Sequence, residues 1–237
     1  MLVVESVAQG SATDATDLAW THTPITGIRR LMVVGVEWRE TIFSASGIGP
    51  IEVSRDATLF TFHALVSSGG VNNEIWYLAN PPIGGAGNMS VVFTGAGIGE
   101  GGAGSLIAGS VHFTGVYLAN PIGTAASATG SSTTPSVAIT GNDASNLILD
   151  SMAASYAGAI GARTVGAGQT QRWDDQNTSF PLGLKASGSG STEQSTEGSV
   201  TMDWTLANTG TWTVLAVEIF AGRMGIIPMR GVIPVLR

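Results

Sequence analysis

Apolar residues along this chain of 237 come in short runs, about one every 10–15 positions, with glycine, proline, asparagine and serine between them. The clearest runs span residues 31–38, 59–66, 74–79, 89–94, 110–118, 136–140, 146–152, 199–206 and 211–220. Several alternate with the two-residue period of a strand that buries one face. Over 201–206, Met202, Trp204 and Leu206 face one way and Thr201, Asp203 and Thr205 the other. Over 211–220, Trp212, Val214, Ala216 and Glu218 share a face, with Thr211, Thr213 and Leu215 opposite. Both faces of that segment are largely apolar, which predicts a central strand. Between these two runs, Ala207-Asn-Thr-Gly210 has the residues of a hairpin loop. No long stretch carries a 3.6-residue apolar period with charges on its outer side. Strands joined by turns, without helices between them, predict an all-β antiparallel sandwich, jelly-roll-like in its connections.

Residues 1–222 form one sandwich domain on this reading. The low-complexity stretch from Pro121 to Pro135 leaves a split there open, although the strands after it look too few to bury a core alone. Two local repeats punctuate the chain. Tyr77-Leu-Ala-Asn-Pro81 recurs as Tyr117-Leu-Ala-Asn-Pro121, each expected to end a strand on the turn-forming Asn-Pro pair. With one matching block, this is shared corner chemistry rather than a tandem repeat.

The second repeat lies at 223–237, where Gly225-Ile-Ile-Pro-Met-Arg230 is followed by Gly231-Val-Ile-Pro-Val-Leu-Arg237. Pro228 and Pro234 forbid a regular helix or a central strand. Ile226, Ile227, Val232, Ile233, Val235 and Leu236 need a surface to cover them. Arg223, Arg230 and Arg237 stand among them without an acid, so the −7 of the whole chain conceals a body of −10 and an arm of +3. An extended, basic, apolar arm on an acidic body suits docking on a neighbouring subunit. Folding back onto its own sandwich is the alternative.

Composition narrows the function classes. Charged residues make up 11% of the chain, against about 25% in an ordinary soluble domain, while 33 glycines loosen its turns. Lys185 is the single lysine. A basic face for nucleic acid is not expected in so acidic a chain. With no cysteine, neither a disulfide framework nor a thiolate metal site is expected. The N-terminus lacks the basic and apolar regions of a secretory signal, and the most apolar window, 106–119, is shorter than a membrane span. Synthesis in the cytoplasm, without a membrane partner, is the expectation.

Searches for chemistry find little. Gly97-Ile-Gly-Glu-Gly-Gly102 matches the dinucleotide fingerprint, but no charged residue follows between 101 and 142 to hold a ribose, so it is expected to be a glycine loop. His22, His63 and His112 stand alone in strand-like settings, without the neighbouring ligands or nucleophile that a site needs. The densest polar cluster is Arg172-Trp-Asp-Asp175. In a loop its carboxylates could bind Ca²⁺ or Trp173 could stack on a sugar; in a strand Asp174 and Asp175 point to opposite faces. Asp174, Asp175, Glu193, Glu197 and Asp203 could supply a glycosidase pair, but nothing singles two of them out. The chain is therefore expected to be no enzyme and to need no cofactor.

The ordered motifs as a set resemble a family of β-sandwich proteins. They are Thr21-His-Thr-Pro24, Arg30-Leu-Met-Val-Val-Gly-Val-Glu-Trp38, Asn73-Glu-Ile-Trp-Tyr-Leu78 with Pro81-Pro82, Gly166-Ala-Gly-Gln-Thr-Gln-Arg-Trp173, Thr201-Met-Asp-Trp204 and Val214-Leu-Ala-Val-Glu-Ile219. Such proteins occur among tailed-bacteriophage structural proteins and as modules of bacterial surface proteins. The resemblance covers roughly residues 15–220. It implies a virion component, such as a capsid decoration protein or a fibre, in homo-oligomeric contact with itself and with other virion proteins. A carbohydrate-binding or adhesin module, using Trp38, Trp76 or Trp173 as exposed aromatics, is the alternative.

Overall fold

A computed structural model describes residues 1–15, 17–40, 51–93, 103–177 and 185–222, and the arm residues 223–237 lie outside them. Every regular element in the described residues is a strand, as the short alternating runs predict. The first half holds β1 (Val3–Ala15), β2 (Asp17–His22), β3 (Leu31–Glu40), β4 (Ile51–Arg55), β5 (Thr58–Leu59), β6 (Thr61–Ser68), β7 (Val71–Ala79), β8 (Gly87–Phe93) and β9 (Ala103–Thr114). The second holds β10 (Ala126–Ser132), β11 (Ser136–Thr140), β12 (Leu147–Tyr156), β13 (Arg163–Val165), β14 (Thr170–Asn177), β15 (Lys185–Gln194), β16 (Ser199–Leu206) and β17 (Gly210–Ile219).

The strands form four antiparallel sheets stacked as layers. An outer sheet ordered β2-β8-β4-β5 covers an inner sheet ordered β1-β9-β3-β7-β6. A second inner sheet, β10-β17-β12-β15-β14, lies against the first and is covered by the outer sheet β11-β16-β13. Three cores separate the four layers. Trp20, Met32, Val34, Trp38, Met89 and Val91 fill the first, and Ile139, Ile148, Met152, Met202, Trp204 and Val214 the last. Between the inner sheets lie Leu31, Val33, Ile75, Phe113, Leu149, Trp173, Leu215 and Val217. The central strands β12 and β17 are buried on both faces, as the doubly apolar run at 211–220 predicts, while the edge strands β6, β10 and β14 are partly exposed. An antiparallel sandwich is thus present twice, back to back.

The two halves share one wiring. Substituting β10, β17, β12, β15 and β14 for β1, β9, β3, β7 and β6 reproduces the inner sheet, and β11, β16 and β13 stand where β2, β8 and β4 do. The register is repeated as well. Gly35 pairs with Ile75 and Gly109 as Ser151 pairs with Gly190 and Leu215, each five residues into its strand. A bulge between Phe62 and Ala64 opposite Trp76 and Ile75 matches one between Gln171 and Trp173 opposite Ser191 and Gly190. The inner sheets meet with β1 on β14, β3 on β12 and β6 on β10, which is the geometry of an isologous interface within one chain.

Four local expectations change. Ala207-Asn-Thr-Gly210 does not close a hairpin, because β16 lies in an outer sheet and β17 in an inner one. A turn motif reports a reversal, whereas the partner is set by burial: doubly apolar β17 pairs with β10 and β12 instead. The low-complexity stretch 121–135 holds β10, an edge strand of the inner sheet. The strands after it are numerous enough to enclose the third core. Of the two Tyr-Leu-Ala-Asn-Pro copies, the first ends a strand as expected, since β7 stops at Ala79, whereas the second does not, since β9 ends at Thr114, before Tyr117.

Trp173 shows how tightly the inner sheets meet. A Cβ added at Gly190 would sit 2.0 Å from its ring, one at Gly109 2.1 Å and one at Gly35 2.7 Å. Only residues without side chains leave room for the indole between the sheets. Trp173→Ala should cost about 3–5 kcal/mol through the cavity it opens, and Gly190→Ala about 2 kcal/mol or more through overpacking. Urea unfolding of the two single variants and the double variant should show the double losing clearly less than the sum, because removing the ring removes the clash.

Candidate functional site

The proposed docking residues Arg223, Ile226, Ile227, Pro228, Arg230, Val232, Ile233, Pro234, Leu236 and Arg237 lie outside the described residues. The cluster Arg172–Asp175 is placed on β14, and its members diverge. Arg172 Nε donates to Thr192 Oγ1 at 2.7 Å. Trp173 turns inward, leaving 2% of its surface exposed. The Asp174 carboxylate pairs with the Arg163 guanidinium and accepts from Ser189 Oγ at 2.6 Å. Asp175 accepts from the neighbouring Gln176 amide at 2.8 Å. Strand geometry separates the two carboxylates, so the loop arrangement that would let them share a cation is not formed.

Trp38 and Trp76 are buried like Trp173, so none of the three offers the open stacking face that a glycan module requires. Their strands are inner-layer strands with no water-facing side at those positions. Trp76 Nε1 donates to Glu74 at 2.7 Å. Of the carboxylates weighed for glycosidase chemistry, Glu193 feels the charge of Asp203. Burial first, and the Asp203 charge second, push the Glu193 carboxyl upward. The turn carrying Gly166 and Gly168 packs against both: a Cβ at Gly166 would meet Asp203 at 2.2 Å and one at Gly168 would meet Glu193 at 2.8 Å.

Three polar clusters sit inside the layers. Glu37 Oε1 accepts from Ser151 Oγ at 2.6 Å and from Trp173 Nε1 at 3.1 Å, which ties β3 to β12 and β14 across the inner seam. Ser151 Oγ also lies 2.8 Å from Asn73 Oδ1, an alternative acceptor for its one proton, and the Asn73 amide donates to the Ser151 carbonyl at 2.6 Å. Burial pushes the Glu37 carboxyl up to about 8 despite the bonds from Ser151 and Trp173. Asp150 holds the second cluster, accepting from Ser191 N and Oγ, each at 2.7 Å, and from Trp204 Nε1 at 2.7 Å; burial raises it to about 7. In the third, His22 Nδ1 lies 2.6 Å from Ser110 Oγ and its Nε2 lies 2.8 Å from Ser6 Oγ. This resembles a nucleophile with its base, but Ser110 and His22 are sealed from solvent and the second nitrogen meets a hydroxyl rather than a carboxylate. Burial, then the nearby His112 and Arg55, lowers His22 to about 4.

An open concave region formed by described residues lies at one end of the seam. One cleft of about 580 Å³ is lined by His63, Asn120, Thr140, Asn142, Glu218 and Phe220 among others. A second, of about 420 Å³, shares Asn142 and Phe220 and adds Tyr117, Asp143 and Asn146. Glu218, at the end of β17, organises the wall between them. It accepts from Asn142 N at 2.9 Å, Asn146 Nδ2 at 3.0 Å, Ser195 Oγ at 2.7 Å and the Asn142 side-chain amide. Burial alone would raise this carboxyl, but these bonds outweigh it and hold the group below its ordinary range. His63, in the β6 bulge, bonds the Gly123 carbonyl at 2.8 Å and so fastens the first half to the chain entering the second. One sign of this site was visible in the sequence: an acid, Glu218, on an otherwise apolar central strand. The partners Asn142, Asn146 and Ser195 come from separate turns and carry no spacing motif.

Comparison with known proteins finds no match: no family model, curated protein or solved structure is similar to this chain.

The buried acids make stability fall with alkalinity. Glu37, Asp150 and Glu74 have folded pKa values raised to about 8, 7 and 7 above their ordinary ones, so folding takes up protons between the two values. Their contribution is complete below pH ~4 and is lost as pH rises through the folded values. His22 acts oppositely, its contribution being lost as pH falls from about 6.5 toward 4. Above pH 6.5 only the acids among these groups change charge. Unfolding free energy should therefore fall between pH 6.5 and 8, and Glu37→Gln should remove on the order of 1–2 kcal/mol of that fall. Urea titrations at several pH values read this directly.

Proposed function

We propose that the chain is a non-enzymatic structural protein of a phage particle, a capsid decoration protein or another virion component, assembling through contacts with its own copies and with other virion proteins. The observation that carries this reading is the placement of its ionisable groups. Glu37 and Asp150 bind across layers, Asp174 holds Arg163, and His22 sits between two serine hydroxyls. These groups act as internal ties of a rigid body. The antiparallel sandwich in each half agrees with the same reading, for sandwiches of this class, jelly rolls among them, build particle-forming proteins.

The arm supplies the contact. Residues 223–237 carry +3 and a row of apolar side chains beside a body of −10. On a neighbouring copy they would gain both buried area and charge complementarity. The protein would be made in the host cytoplasm and come to rest in the virion, which agrees with the resemblance of its motifs to phage structural proteins.

Light scattering of the full chain, and of a chain ending at Gly222, tests this. The full chain should form a defined oligomer and copurify with particles, and the shortened one should be monomeric and absent from them. A shortened chain that assembles normally would refute the role of the arm. A full chain that stays monomeric and never accompanies particles would refute the structural role itself.

A further inference from the structure

We propose that the double cleft at the end of the seam binds a neutral saccharide. The two clefts, about 580 and 420 Å³, meet at Asn142 and Phe220, and each falls within the roughly 300–1,000 Å³ of small-ligand sites. The surface between them combines what a sugar ring needs: aromatic faces for its C–H side and fixed polar groups for its hydroxyls. Tyr117 is half exposed at 50%, and Phe220 lies beside it, the backbone of one bonded to the other at 2.8 Å. An aromatic with one apolar face and one polar end suits an amphipathic partner.

The polar side is pre-set. Asn142 is exposed, yet both its backbone and its side-chain amide are held by Glu218. Asn120 and Thr140 also line the larger cleft. Groups fixed before binding lose little freedom when a hydroxyl arrives.

Charge selects the class of sugar. Glu218 remains ionised at neutral pH, and Asp143 adds a second carboxylate to the smaller cleft. Neither arginine nor lysine lines either cleft among the described residues. A uronic or sialic acid would therefore meet repulsion without a compensating cation, whereas a neutral hexose would not.

The site also accounts for the repeated pentapeptide. Tyr117 and Asn120 of the second copy line the clefts directly. Tyr77 of the first copy packs edge-on against the His63 ring at 6.0 Å, and His63 forms part of the wall. The second copy thus lines the groove, while the first braces its wall through His63.

The proposal is independent of assembly, since binding without oligomers, or oligomers without binding, would separate the two. Calorimetric titration of the full chain with maltotriose, cellotriose and chitotriose, and with trigalacturonic acid as the acidic counterpart, tests it. At least one neutral trisaccharide should bind, trigalacturonic acid should not, and Tyr117→Ala should weaken binding about tenfold. In the unaltered protein, NMR signals of the Tyr117 ring and the Asn142 side-chain amide should shift on addition of the bound sugar, which keeps the test valid even if the variant misfolds. The proposal is overturned if none of the three neutral sugars binds at millimolar concentration, if the acidic one binds equally well, or if those signals stay still while binding occurs elsewhere.

Discussion

Trp173 lying on three glycines is the contact on which the four-layer stack depends. The central strands of each inner sheet are buried on both faces, so parting the two sandwiches would expose the apolar seam to water. The indole reaches across the seam over Gly109 and Gly35 while resting on Gly190 of its own sheet. Its ring nitrogen finds Glu37, and Glu37 finds Ser151, so the tightest packing and the main polar tie coincide. An acid buried there in its neutral form is tolerable because donors meet one of its oxygens, and its cost appears as sensitivity to alkaline pH.

The repeated wiring explains why the seam has this form. Two like sheets met face to face, and the register places equivalent residues opposite one another about an approximate two-fold axis near Gly35 and Ser151. Yet volume is exchanged across that axis. Where one half has Trp173, Gly190 and Leu215, the other has Ala64, Ile75 and Gly109 in the equivalent places. The large residue of one row is matched by small ones in the other, so the space is filled on both sides of the axis by different means. Two copies of either half alone would leave a clash or a hole, which makes the covalent pairing of unlike halves a packing requirement. At one end of the same seam the two halves leave the groove that Glu218 organises.

Much of the fold was legible because strand formation is local. Residues 136–140 and 199–206 match β11 and β16, and the doubly apolar run at 211–220 is the central β17. Other strands were hidden by composition. β15 reads Lys-Ala-Ser-Gly-Ser-Gly-Ser-Thr-Glu-Gln, which has the look of a linker, yet most of it is buried because small residues are what the neighbouring Trp173 and Glu37 require. β10 is hidden in the same way within the low-complexity stretch. Pairing was less legible still, since the turn at 207–210 is compatible with a hairpin and only burial of both β17 faces decides against it. The cluster Arg172–Asp175 was conspicuous because it is polar in sequence, whereas its role follows from a bulge that turns Trp173 inward.

Joined through the inner seam, the two sandwiches should fold and unfold as one unit. Native-state hydrogen exchange of the intact chain measures this strand by strand. Amides of β3 and β9 in one half and of β12 and β17 in the other should exchange with a single common free energy, equal to that of global unfolding, while the short strands β5 and β13 open more readily. Two distinct plateaus, one for the strands from β1 to β9 and another for those from β10 to β17, would show that the halves unfold independently and would contradict the account.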